Sequence, residues 1–134
     1  MADIVREFNE RREEGNRAIL DEGSLLLRRF FALDHDAYAE GALSCKEKEL
    51  QGLVASAVLR CDDCVSYHLV QARARGASRA EVVESLSVAL VAGGSIVIPH
   101  LRRAFKMLDA LWADESVDRA PAGGVERTIE KGRA

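Results

Sequence analysis

The sequence has only two prolines in 134 residues, and aromatic side chains make up just 5% of it. Sandwiches and barrels draw on aromatic and β-branched strands separated by turn residues, so this composition speaks against them and favours helix. Long apolar runs are also missing. The most apolar stretch, Val88 to Ile98, is too short to span a bilayer, and Gly93-Gly94 interrupts it. The N-terminus carries Asp3, Arg6, Glu7, Glu10 and Arg11 where a signal peptide would need an apolar core. The expectation is a cytoplasmic protein without a membrane partner. Net charge is −3 and no phosphate-binding basic stripe forms, so no nucleic-acid partner is expected. Three cysteines are too few for a disulfide framework. In a reducing compartment, a close cysteine pair points instead to catalysis or metal binding.

What is present is ordinary in bulk and informative in pattern. Hydrophobic residues at 48% and charged residues at 31% fit one soluble domain, read here as residues 1–113. Residues 114–134, with Pro121 and Gly123-Gly124, read as a polar, flexible tail. A helix is expected over 3–21, ending near Gly23, and Ser24 can cap a second through Phe30-Phe31. Asp34 to Leu43 reads as a connection. Ser44–Glu47 and Ser78–Glu81 are capping boxes that open two further helices. Between them the chain changes direction near Arg60-Cys61, and Asp62 and Asp63 fall in the first turn of a helix that stops at Gly76. Gly93-Gly94 ends the pattern again before a last helix through Leu101, Phe105 and Leu108, with Pro99 in its first turns. The fold class is all-α: a bundle of about six helices with a CxxC at a helix N-terminus.

Cys61, Cys64 and His68 have the i, i+3, i+7 spacing that shares one helix face. Val65 and Ala72 lie on the same side, so the column is expected to point inward. A helix N-terminus favours thiolate over thiol, and an imidazole one turn from Cys64 can take its proton. A neighbouring cysteine can then close a disulfide. A CxxC also serves as half of a zinc site, for which Cys45, His35 or His100 could supply a fourth ligand, or as two small core residues. With no second CxxC or HxxxH, the redox reading takes precedence, and no metal or organic cofactor is expected. Attack on a substrate falls to Cys64, beside His68, or to Cys61, nearer the helix end. His100 and Arg102 read as subunit contacts or a solvated turn, or else as pocket residues that bind an anion. Cys45 reads as a small buried residue.

The run Lys46-x-Lys48-Glu49-Leu50, with Cys61-Asp62-Asp63-Cys64-x-x-x-His68 starting twelve residues after Glu49, resembles the carboxymuconolactone decarboxylase family, in its AhpD-like branch. The likeness continues through Gly76-Ala77-Ser78, Glu81 and Gly93-Gly94. It implies an all-helical protein assembled as trimers or hexamers. It also implies alkylhydroperoxide reductase (peroxiredoxin-type) or disulfide reductase chemistry at Cys61 and Cys64. The substrate would be a hydroperoxide or disulfide, and a separate dithiol would supply electrons. The family's relay glutamate corresponds to Glu49, although Glu47 lies nearer the apolar stripe of that helix. AhpD has a histidine between its cysteines. Asp62 and Asp63 stand here instead and are expected to raise the thiol pKa values. Two alternatives are a lyase that uses His68 and Glu49 as acid and base, and a zinc-stabilised or structural oligomer without catalysis.

Overall fold

The computed structural model describes residues 2–115; the expected tail therefore lies, from residue 116 onward, outside the described residues. Six α-helices and one 3-10 turn make up the architecture, with no strand among the described residues. They are α1 (Ala2–Asp21), α2 (Leu25–Ala37), α3 (Cys45–Val58), α4 (Asp62–Ala74), α5 (Arg79–Gly93), the turn Ser95–Val97 and α6 (Ile98–Leu111).

Local chemistry explains most of these boundaries. Ser44 Oγ accepts the Glu47 N–H at 3.1 Å while the Ser44 N–H donates to the Glu47 carboxylate at 2.7 Å. Ser78 and Glu81 repeat the arrangement at 3.1 and 2.8 Å. A Ser cap contributes about 1 kcal/mol to its helix. α4 closes with the Ala77 N–H on the Ala72 carbonyl at 2.9 Å, which needs the left-handed backbone that Gly76 supplies at φ +86°. One expectation is corrected: Asp34 to Ala37 belong to α2 rather than to a connection. Asp and His are only modestly poorer helix formers than alanine, and no glycine or proline occurs between Ser24 and Gly41, so a capped helix continues through them.

α3 packs chiefly on α4 and α5, α6 covers α4, and α1 lies on α6. Leu53 of α3, Leu69 of α4, Val82 and Leu86 of α5 and Leu108 of α6 meet in a solvent-free core. Trp112 seals its end. Its indole N–H donates to the Ala77 carbonyl at 3.0 Å and the Arg73 guanidinium stands over the ring. Arg73 also binds both oxygens of Asp114, at 2.9 and 3.0 Å, and the Arg79 N–H donates to Glu115 at 3.1 Å. α2 differs from the other helices in having no buried residue.

Candidate functional site

The site begins at the joint between α3 and α4. α3 closes in a Schellman motif: the Cys61 N–H reaches the Ser56 carbonyl at 3.0 Å and the Arg60 N–H reaches Ala57 at 3.1 Å. That closure forces a left-handed residue. Arg60 takes it at φ +60°, the one non-glycine residue with positive φ among those described. Cys61 thus follows the Leu59 cap and Arg60 at the end of α3 and is itself the N-cap of α4, where its sulfur accepts the Cys64 N–H at 3.3 Å. Cys61 and Cys64 are joined as a disulfide, with their Cα atoms 5.2 Å apart.

The expectation of an inward column holds for His68 and fails for Cys64. His68 is buried with Val65 and Ala72, whereas Cys61 is half-buried and Cys64 exposed. The first turn of a helix has fewer neighbours than its middle, so a face covered at His68 is open one turn earlier.

His68 meets Glu49 of α3, Nδ1 to Oε2 at 2.7 Å, with the glutamate 4% and the histidine 7% exposed. With the carboxylate ionised, Nδ1 carries the hydrogen, which orients the ring and leaves Nε2 for proton exchange. Glu47, the rival on the same helix, is held in the capping box. The imidazole lies close against α3 because residue 52 has no side chain: a Cβ there would stand 2.6 Å from His68 Cε1 and 2.7 Å from Tyr38 Oη. Two tyrosines flank the imidazole, with ring centroids at 5.3 Å for Tyr38 and 5.1 Å for Tyr67. Burial first, then the charge of Glu49, raises the pKa of both phenols above the ordinary 10.0, so both remain O–H donors at neutral pH.

Cys64 and His68 open onto a cleft of about 540 Å³ between α1, α2 and α4. Phe8 and Ile19 of α1 and Phe30 and Phe31 of α2 supply its apolar walls. The Arg12 guanidinium lies over the Tyr67 ring, 4.1 Å from its centroid. The chemistry available is that of a dithiol beside a proton-transfer pair, at the mouth of a mostly apolar cleft.

Other candidate residues lie elsewhere or have partners of their own. His100 binds Asp62, Nδ1 to Oδ1 at 2.7 Å, and Arg103 rather than Arg102 binds the second oxygen at 3.0 Å. Cys45 is free and half-buried, short of the full burial expected. His35 is exposed on α2. Among the described residues, no three His, Cys, Asp or Glu side chains gather as metal ligands would. No helix among them is long and apolar enough to cross a membrane. Sequence reasoning missed Gly52, Tyr38, Tyr67 and Arg103. The spacing held a hint for two of them, since Gly52 follows Glu49 by three residues and Arg103 follows His100 by three.

The model of the carboxymuconolactone decarboxylase family matches residues 24–107. The chain belongs to this family. A carboxymuconolactone decarboxylase family protein of Thermotoga maritima, with a suggested involvement in antioxidative response, has a solved structure that superposes with a TM-score of 0.76. It is 54% identical, covering 80% of this chain and 91% of that one. An apo structure of a family member from Legionella pneumophila superposes at TM-score 0.63 with 26% identity, covering 84% and 95% of the two chains. An uncharacterized Paracoccus denitrificans protein from the cox locus is 29% identical over 82 residues, or 61% of this chain and 74% of its own. The family match spans Glu49, both cysteines and His68, so the site lies within the shared fold.

Proposed function

We propose that this family member is an AhpD-like thiol oxidoreductase that reduces hydroperoxides at Cys64 and Cys61, with His68 and Glu49 moving the proton. The observation that carries the reading is the Cys61–Cys64 disulfide on the first turn of α4, next to the buried Glu49–His68 pair. The antioxidative role suggested for the Thermotoga relative points the same way.

The exposure of Cys64 and its place on the cleft favour it as the attacking residue. His68, one turn along, takes its proton, and Glu49 holds the imidazole in the tautomer that can do so. The Cys64 thiolate attacks the terminal peroxide oxygen. An S–O bond forms as the O–O bond breaks, and the alkoxide leaves as the alcohol with the proton from His68. Cys61 then attacks the sulfenic sulfur; the S–S bond forms, and hydroxide leaves with the Cys61 proton as water. Two electrons have passed from two thiols to the peroxide, and a dithiol donor restores them by exchange.

Consumption of an organic hydroperoxide with dithiothreitol as donor is the test. Cys64→Ser should abolish turnover, and His68→Asn should slow it by roughly 10²–10⁴-fold. Undiminished turnover in Cys64→Ser overturns the reading.

A further inference from the structure

Asp62 and Asp63 lie between the two cysteines in sequence, on the first turn of α4. A thiolate there gains from the free amide groups and the helix dipole, and adjacent carboxylates oppose that gain. The two aspartates are held differently. Asp63 meets Arg11 of α1 at 3.5 Å with both side chains largely in solvent, an arrangement of little energetic weight. Asp62 has both oxygens bound from α6: His100 on Oδ1 at 2.7 Å and Arg103 on Oδ2 at 3.0 Å. The His100 side chain is 19% exposed, that of Asp62 41% and that of Arg103 61%, so His100 is the better shielded of the two partners. His100 and Arg103 are three residues apart, one turn of one helix face, and together they span a single carboxylate.

We infer that His100 and Arg103 are positioning residues for the dithiol. By binding both oxygens of Asp62 they offset its charge and fix it to α6, so that the Cys61 and Cys64 thiolates form more readily than beside an unbound aspartate. The inference rests on the dithiol reading above and adds its electrostatic control. Other charged groups around this turn are Asp63 with Arg11 of α1, Arg12 of α1 and Asp34 of α2 on the same cleft, His68 with Glu49 of α3, and Arg60 beside Cys61 in the chain. None of them changes in the variants below.

The experiment measures the pH dependence of iodoacetamide alkylation in the reduced protein, in a Cys45→Ser background. In His100→Gln/Arg103→Gln the lower thiol pKa should rise by roughly half a unit, seen as about threefold slower alkylation at neutral pH. Asp62→Asn alone should lower that pKa. Adding Asp62→Asn to the double variant should return it to the Asp62→Asn value, because the two residues act through that carboxylate. An unchanged pKa in the double variant overturns the inference. So does a rise that survives Asp62→Asn, which is the result that loosened α6 packing alone would give. If the double variant does not fold, His100→Gln and Arg103→Gln singly carry the same test with smaller shifts. Alkylation needs no turnover, so a wild-type protein that reduces no hydroperoxide defeats the proposed function and leaves this measurement decisive.

Discussion

A methyl group at position 52 would stand 2.6 Å from His68 Cε1 and 2.8 Å from Nε2, inside van der Waals contact. In an ordinary helix interior, glycine to alanine gains about 1 kcal/mol. Here the overpacking should cost about 1–3 kcal/mol and shift the imidazole from Glu49. Gly52→Ala is therefore expected to melt no higher than wild type and to lose at least about tenfold in hydroperoxide turnover. A more stable, fully active variant would contradict the contact. At this scale the sequence displayed the dithiol and His68 openly, because one helix carries Cys64 and His68 four residues apart. Glu49 was not separable from Glu47 by the helical wheel, since the choice depends on how α3 meets α4; family likeness indicated it. The pairing of Asp62 with His100 spans 38 residues and is set by the seating of α6 on α4, which no local pattern encodes.

The capping boxes at Ser44 and Ser78 and the stop at Gly76 were legible because each is a backbone requirement met within a few residues. The end of α2 was not, since nothing between Asp34 and Ala37 prohibits helix. Glu81 shows an element doing two tasks. It completes the cap of α5 and accepts from Lys46 of α3 at 2.8 Å, and the Lys46 bond first, then the Ser78 amide, lowers its pKa below the ordinary 4.5. A lowered carboxyl pKa stabilises the fold above the unfolded value and ceases to do so as pH falls through the folded one. Wild type should therefore melt above Glu81→Gln at neutral pH, and the two should converge as pH drops below 4.5. Parallel thermal melts across that range measure it; a constant gap would show that the charge of Glu81 is immaterial.

For the whole molecule, few prolines and few aromatics were enough to exclude β architectures, but they could not show which helix would lie uncovered. That helix is α2, with Leu26 76% and Leu33 65% exposed. We propose that this apolar surface is an association face between copies of the chain, in line with the trimer or hexamer expected from the resemblance. Sedimentation should accordingly give a mass several times that of one chain. Leu26→Glu/Leu33→Glu, chosen away from the cleft, should shift it towards the monomer; a wild-type monomer at micromolar concentration would end the expectation. The short joint of residues 59–61 has a consequence for how the chain can vary in length. Each residue of an α-helix turns its successors by about 100°, and Glu49 faces His68 across two helices joined by only residues 59–61. A residue inserted or deleted within α3 after 49, or within α4 before 68, would rotate one partner out of reach, whatever its identity. Length drift is expected before α3 and after α6, and this segment should keep its count even where its composition changes.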